Sequence, residues 1–159
     1  MMLMLGLVTA VLIALLDQLS KLAVLGFFTA HAAGYQAFKV TSFFDLVLTF
    51  NYGMSFGLFD DGSAINAVLF SAVAAAIVVI LLVWLRRAAH PLLAVAIGLI
   101  IGGAVGNVID RLRLGGVVDF LYFHAGQWYW PAFNLADTAI CVGVAAMLFD
   151  GLLLHRQAR

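Results

Sequence analysis

Four long apolar runs alternate with more polar stretches along this chain. The runs cover about residues 4–28, 64–85, 92–110 and 132–154, and the second run contains no charged residue. About 20 apolar residues in a helix span the hydrocarbon core of a bilayer. The pattern therefore predicts four transmembrane helices. Residues 29–63 and 111–131 then form two loops on one side of the membrane, and both termini lie on the other side.

The two loops carry a different pattern from the runs. Residues 43–59 are rich in aromatic and β-branched side chains and are interrupted by Gly53 and Gly57, which predicts a strand, a turn and a second strand. Residues 117–123, which follow the helix-breaking pair Gly115 and Gly116, predict another short strand. The expected fold class is an all-α membrane protein with a small β element, formed as a single domain over residues 1–159.

The first apolar run has a second interpretation, a cleaved signal peptide that ends near residues 29–33. A signal peptide has a basic start and an uninterrupted apolar core. This run has no basic start, and Asp17 and Lys21 interrupt it. We therefore interpret it as a retained transmembrane helix. Asp17 and Lys21 are four residues apart, so they can pair on one helix face and relieve each other's desolvation cost.

Small residues recur at every fourth position of the third run, at Gly98, Gly102 and Gly106. Such a stripe allows two membrane helices to approach closely. Asp110 continues the stripe one turn later, so the packed face leads directly to a carboxylate. Asn107, Asp110 and Arg111 follow the helical spacing i, i+3 and i+4, which places them on a common face.

Composition and charge fit a membrane protein and exclude other classes. The chain is 65% hydrophobic and 10% charged, whereas a soluble domain is about half apolar and a quarter charged. The formal net charge is zero, so the charge balance does not indicate a nucleic-acid partner. The histidines are scattered and none has metal-site spacing to another histidine or to the single cysteine, Cys141. We expect no metal and no cofactor.

Basic residues suggest the orientation of the helices. The side with the termini carries Arg86, Arg87, Arg156 and Arg159, and the other side carries Lys39, Arg111 and Arg113. Cytoplasmic segments carry an excess of lysine and arginine. The small excess places both termini in the cytoplasm, and it becomes larger if Arg111 belongs to a functional site.

Several ionisable residues converge on the outer half of the membrane. They are Asp17, Lys21, Asp110, Arg111, Asp119 and Asp137. Ionisable groups next to lipid are costly, so they form a functional-site hypothesis by default. We expect Asp110 and Arg111 to form a buried ion pair that shapes the site. The residues expected to be solvated, interfacial or in a loop are Asp45, Asp60, Asp61, Asp150 and His124.

Asp119 and Asp137 suggest the chemistry of this site. Two neighbouring carboxyl groups in a medium of low dielectric cannot easily both ionise, so they share one proton. The ionised group can take a proton from water, and the protonated group can donate to a carbonyl oxygen. This is the arrangement of an aspartic protease. The competing interpretations are a small proton or ion carrier and an assembly subunit without activity. The grouping of the polar residues at one membrane face, with no charge along residues 64–85, argues against the carrier.

Five motifs resemble, in order and spacing, the signature motifs of the lipoprotein signal peptidase family, also called signal peptidase II. They are residues 17–21 (DQLSK), 51–57 (NYGMSFG), 106–111 (GNVIDR), 117–120 (VVDF) and 133–137 (FNLAD). Together they extend over nearly the whole chain. Ser55 is a departure, because the family usually has alanine at that position.

The resemblance implies a monomeric bacterial inner-membrane aspartic endopeptidase with four transmembrane helices and an extracytoplasmic β-cradle. Its substrate is a prolipoprotein that carries a diacylglyceryl group on a cysteine, and it cuts just before that cysteine, near the outer leaflet of the membrane. By motif position, Asp119 and Asp137 are the catalytic pair, and Asp17 and Lys21 are structural or supporting. The residues expected to support the substrate or the pair are Asn51, Gly53, Asn107, Asp110, Arg111 and Asn134.

Overall fold

The computed structural model describes residues 1–31, 37–53 and 64–154. Its helices are α1 (Met2–His31), α2 (Ala64–Leu85), α3 (Pro91–Leu114) and α4 (Leu135–Phe149), and α4 continues into a π-helical turn (Asp150–Leu154). Four helical segments are long and apolar enough to cross a membrane. Together with a small antiparallel sheet, they confirm the predicted fold class.

Two helix ends differ from those predicted. α3 continues to Leu114 and ends at Gly115, whose φ of 78° is left-handed and favours glycine. Arg111 therefore belongs to the helix and not to the outer loop. α4 begins at Leu135 and not near residue 132, because the side chain of Asn134 caps its first turn. Hydropathy alone could not locate either end, since charged residues lie inside the last turns of α3 and apolar residues lie before the first turn of α4.

The glycine stripe of α3 packs against α1, as the spacing predicts. A side chain at Gly98 would collide with the backbone of Gly6, and one at Gly102 would collide with the backbone of Ala10. At the next turn, Gly106 lies against the side chain of Asp17. The close contact between the two helices therefore ends at an ionised group inside the bundle.

α3 also packs closely against α4 on another face. A side chain at Gly103 would collide with the backbone of Ala136, and one at Gly143 in α4 would collide with that of Ala96. These contacts place the first turn of α4 beside α3. They fix the depth at which the carboxylate of Asp137 enters the bundle.

A four-stranded antiparallel sheet lies at the end of the bundle where α1 and α3 end and α4 begins. The strands, in spatial order, are β1 (Ala37–Lys39), β2 (Phe44–Asn51), β3 (Val117–Ala125) and β4 (Trp128–Tyr129). β2 and β3 confirm two of the predicted strands. The second half of the predicted hairpin, residues 54–59, lies outside the described residues, and so does Ser55. Thr49 pairs with Asp119, which places this carboxyl beside β2.

Three residues expected to be solvated or in a loop are paired in the fold. His124 lies in β3, and its Nε2 is 3.3 Å from a carboxylate oxygen of Asp45 in β2. Asp150 is only 3% exposed and lies 3.0 Å from Nε2 of His90, the N-cap of α3. The expectation was wrong for Asp150, which is buried, and for His124, which lies in a strand, because both contacts join segments that are distant in the sequence. The side chain of Asp45 is still 21% exposed, which agrees with the expectation for that residue. Asp60 and Asp61 lie outside the described residues.

Candidate active site

Asp119 and Asp137 come from different segments that backbone hydrogen bonds hold together. The chain entering α4 pairs with β3: the N–H groups of Phe120 and Leu121 donate to the carbonyl of Phe133, at 3.0 and 2.9 Å. The N–H of Phe133 donates back to Leu121 at 3.1 Å. Asn134 therefore begins its helix directly beside the strand that carries Asp119.

A capping box fixes Asp137 in the first turn of α4. Its backbone N–H donates to Oδ1 of Asn134 at 3.0 Å, and its own Oδ2 accepts from the N–H of Asn134 at 3.2 Å. Both bonds satisfy N–H groups that the first turn of a helix otherwise leaves unpaired. The carboxylate also lies at the positive end of the helix dipole, which favours negative charge.

Asn134 connects the two carboxyl groups. While its side-chain oxygen caps α4, its Nδ2 donates to Oδ1 of Asp119 at 2.7 Å. Asn134 is fully buried, so neither contact competes with water. One amide therefore holds Asp137 through the backbone and Asp119 through the side chain.

Asn51 holds the second oxygen of Asp119. Its Nδ2 donates to Asp119 Oδ2 at 3.2 Å, and its Oδ1 accepts from the N–H of Gly53 at 3.2 Å. Because Gly53 sets the orientation of the amide, the NH₂ group faces the carboxyl. Both oxygens of Asp119 thus accept a hydrogen bond from an asparagine.

A buried lysine lies behind Asp137. Nζ of Lys21 is 2.8 Å from Asp17 and 2.8 Å from Asp110, and it donates to Oδ1 of Asn107 at 3.1 Å. Nδ2 of Asn107 in turn donates to Asp137 at 2.8 Å. The predicted pair of Asp17 and Lys21 therefore forms, and it is joined to the candidate dyad through one amide.

The predicted ion pair between Asp110 and Arg111 was wrong. Asp110 faces α1, where it pairs with Lys21, and it also accepts from the N–H of Val118 at 3.1 Å. Arg111 is the next residue and points to another side of α3, where its guanidinium lies 5.7 Å from the ring centre of Phe70. Adjacent helical residues do not face each other, and this is the physical reason for the difference.

Two cavities meet at Asp137. One, of about 180 Å³, is lined mainly by predicted site residues: Asn51, Gly53, Phe70, Asn107, Arg111, Val117 and Asp137. The Nε of Arg111 is buried and has no hydrogen-bond partner among the described residues. The other cavity, of about 470 Å³, is lined by both Asp119 and Asp137. It continues along α4 past Thr138 and Val142, so it joins a polar end to an apolar wall.

Burial raises the pKa of Asp119 to about 7, and the neighbouring charge of Asp137 adds to this effect. The hydrogen bonds from Asn51 and Asn134 and the charge of Lys21 act in the opposite direction. Asp119 therefore holds a proton below about pH 7. A carboxyl group that is protonated near neutral pH and faces a cavity can serve as a proton donor.

The structure brings all the sequence-predicted site residues to this one site, where Arg111 lines the cavity and the others form one bonded network, to which the structure adds Gln18. Nε2 of Gln18 donates to Asp110 at 2.8 Å and to the carbonyl of Gly106 at 3.2 Å. Sequence reasoning overlooked this residue, although it lies between Asp17 and Lys21 in the first motif. The other site residues in this motif were singled out because burying their charges in a membrane is costly, and the uncharged side chain of Gln18 carries no such charge.

Comparisons with known proteins identify one family. A family model described as "Signal peptidase (SPase) II" matches residues 9–153. The lipoprotein signal peptidase of Nitrobacter hamburgensis is 47% identical over 158 residues, which cover 97% of this chain and 95% of that protein. The lipoprotein signal peptidase of Rhodopseudomonas palustris is 47% identical over 153 residues, with 94% and 92% covered.

A solved structure shares the fold. It is a bacterial membrane enzyme determined by the in meso method at 2.3 Å resolution, with a TM-score of 0.78 and 26% sequence identity. The match covers 97% of this chain and 90% of that one. With its four membrane-length helices and near full-length matches to lipoprotein signal peptidases, this chain is a multi-pass membrane protein that belongs to the signal peptidase II family.

Proposed function

We propose that Asp119 and Asp137 are the catalytic dyad of an aspartic endopeptidase. The observation that carries this proposal is the convergence of two carboxyl groups, from β3 and α4, on one cavity, with Asn134 bonded to both segments. The enzyme removes the signal peptide from a diacylglyceryl-modified prolipoprotein by cutting just before the lipidated cysteine.

The geometry supports hydrolysis by water held between the two carboxyl groups. With one proton shared by the pair, the ionised carboxylate draws a proton from water as the oxygen attacks the peptide carbonyl. The protonated carboxyl donates to the carbonyl oxygen, where negative charge develops. Asn51, Asn107 and Asn134 hold the two groups in place before the substrate arrives.

The apolar wall of the larger cavity supports a lipid-modified substrate. It follows α4 from Asp137 towards the middle of the helix, past Thr138, Cys141 and Val142. A diacylglyceryl group anchored in the membrane would hold the adjacent peptide bond at the level of the first turn of α4. Such anchoring supplies much of the orientation that a reaction between two bound groups requires.

The same geometry bears on location. Asp137 is the third residue of α4, and the sheet lies at the same end of the bundle. We place this end at the outer leaflet of the bacterial inner membrane and both termini in the cytoplasm, with the chain acting as one monomeric domain. A proton or ion carrier has less support, because the network gathers at this end and α2 has no charged side chain.

A cleavage assay tests the proposed function. Purified protein in detergent micelles should cut a diacylglyceryl-modified prolipoprotein, and mass spectrometry should place the cut just before the lipidated cysteine. The same precursor without the lipid should be cut at least about a hundredfold more slowly, because lost orientation is costly to the rate. If folded protein leaves the lipidated precursor intact, the peptidase is rejected and proton flux in liposomes becomes the next measurement.

The pH dependence of cleavage should reflect the proton on Asp119. Because its pKa is raised to about 7, the proton is present below that pH and is lost above it, so kcat/KM should fall as the pH rises through about 7. Asn51 donates to this carboxyl and lowers its pKa. Replacing Asn51 by alanine should therefore move the alkaline limb of the pH–rate profile to higher pH. If the alkaline limb does not move, it does not report the loss of the proton from Asp119.

A further inference from the structure

We infer that Lys21 is a positioning residue that acts through Asn107 to make Asp137 the ionised member of the pair, while Asp119 carries the shared proton. This inference rests on the proposed peptidase function. Two observations carry it, the orientation of one buried amide and the different surroundings of the two carboxyl groups.

Lys21 makes the shorter of two donor contacts that determine which way the amide of Asn107 faces, the other being Nδ2 of Asn134 at 3.4 Å. An ammonium group has three N–H donors and no acceptor. Lys21 places them towards Asp17, Asp110 and Asn107, at 2.8, 2.8 and 3.1 Å. A rotated amide would turn its NH₂ group against this cation. The oxygen of Asn107 must therefore face Lys21, and its Nδ2 must face Asp137 Oδ1, 2.8 Å away.

The two carboxyl groups differ in what supports their charge. Asp137 accepts from an amide aligned by a cation and from a backbone N–H in the first turn of α4, where the helix dipole favours an anion. Arg111 lines the cavity beside it. Asp119 lies on a strand and is 2% exposed, and among the described residues it accepts from two neutral asparagine side chains. The negative charge therefore belongs on Asp137.

The pKa of Asp119 agrees with this arrangement, since burial and the charge of Asp137 raise it to about 7. Among the described residues, the other charged groups around the pair are Asp17, Lys21, Asp110 and Arg111. Asp17 and Asp110 are both paired with Lys21, so they add little repulsion at the dyad. Asp137 is thus the base and Asp119 the acid at the start of the reaction.

With these roles, every proton transferred in the proposed hydrolysis has a donor and an acceptor. Asp137 takes a proton from water, whose oxygen bonds to the carbonyl carbon, while Asp119 gives its proton to the carbonyl oxygen and a geminal diol forms. When the C–N bond breaks, the departing nitrogen takes the proton from Asp137. One hydroxyl of the diol returns a proton to Asp119 as the carboxylic acid forms. Both carboxyl groups end in their starting states.

The connection from Lys21 to Asp137 can be tested with the acid limb of the pH profile of kcat/KM, where the rate rises as the base loses its proton. The double variant Lys21→Met, Asp17→Asn keeps the net charge of the buried cluster, and we expect its acid limb to rise by about one pH unit. This is the size expected for a lost hydrogen bond to a charged group. The alkaline limb should move less than the acid limb, and towards higher pH, because the charge of Lys21 also lowers the pKa of Asp119. Asn107→Ala, which leaves the pairs of Lys21 intact, should show the same shift of the acid limb, and the combined triple variant should shift no further.

Other kinetic outcomes overturn the inference. A lower rate with both limbs unmoved would make Lys21 purely structural. An alkaline limb that shifts more than the acid limb would connect Lys21 mainly to Asp119 instead, and additive shifts would show that it does not act through Asn107. If the Lys21 variant does not fold, the test rests on Asn107→Ala. An acid limb that does not move in this variant rejects the proposed connection from Lys21 through Asn107 to Asp137.

A titration without substrate separates this inference from the proposed function. Carboxyl ¹³C NMR of the labelled wild-type protein in micelles follows each aspartate individually, whether or not the protein cleaves anything. The signal of Asp119 should change from acid to carboxylate near pH 7, and it should change more than that of Asp137. If Asp137 shows the larger change, the assignment of the proton is reversed. If the titration is as expected but the protein does not cleave the precursor, only the proposed peptidase function is rejected.

Discussion

Replacing either Asp119 or Asp137 by asparagine should abolish cleavage, with a loss of at least about a thousandfold in kcat. Each carboxyl group transfers a proton in the proposed reaction, and one such group contributes roughly 10²–10⁴ in rate. Because the two act as a unit, the double variant should lose no more than the worse single variant. The measurement is the rate of cleavage of the lipidated precursor by purified protein in micelles.

The fold should survive both substitutions. Asparagine keeps the shape of aspartate and one oxygen that can accept from Asn134, so each variant loses only the hydrogen bond to the other oxygen, from Asn51 at Asp119 or from Asn107 at Asp137. Asp45→Asn is the matched control, because Asp45 also lies on the sheet but faces His124 and lines neither cavity at the dyad. It should cleave at close to the wild-type rate. Substantial cleavage by folded Asp119→Asn or Asp137→Asn would remove that residue from the dyad.

The membrane-spanning part of the fold could be predicted because lipid imposes a simple rule on sequence. A helix that faces lipid must be apolar over about 20 residues, and four such runs were visible. The ends of the helices were harder to predict. α3 includes Arg111 because a long basic side chain can lie along a helix while its charged group reaches a polar cavity. α4 starts late because a single side-chain cap decided where the helix begins.

The candidate site residues could be found in the sequence because a charged group inside a membrane costs free energy. The partners that compensate this cost could not be found in the same way. Asp110 stood out because a carboxylate in a membrane helix must be compensated. The sequence suggested Arg111, its neighbour in the chain, whereas the fold supplies Lys21 from another helix. That choice depends on how α1 and α3 are rotated against each other. The pairing of Phe133 with β3, which brings Asp137 to Asp119, likewise joins segments whose register no local pattern records.

Gly102→Ala should destabilise the protein by about 1–3 kcal/mol, the usual cost of adding a methyl group to a filled interior. The added Cβ would lie 2.5 Å from the carbonyl oxygen of Ala10 and 2.8 Å from Cβ of Ile13. A backbone oxygen cannot rotate away as a long side chain can, so α1 and α3 must separate. The thermal unfolding midpoint in detergent, measured with and without the substitution, reports this cost.

Gly26→Ala is the matched control for this helix contact. It lies in α1, but among the described residues no atom outside its own helix turn lies within 4 Å of an added Cβ, so the same chemical change meets open space. Alanine also favours a helix over glycine by up to about 1 kcal/mol, so this variant should unfold at the wild-type temperature or slightly above it. Equal midpoints for the two variants would show that α1 and α3 are not in close contact at Gly102. Because the same interface leads through Gly106 to Asp17 and Lys21, a separation at Gly102 should also lower cleavage, whereas Gly26→Ala should leave it unchanged.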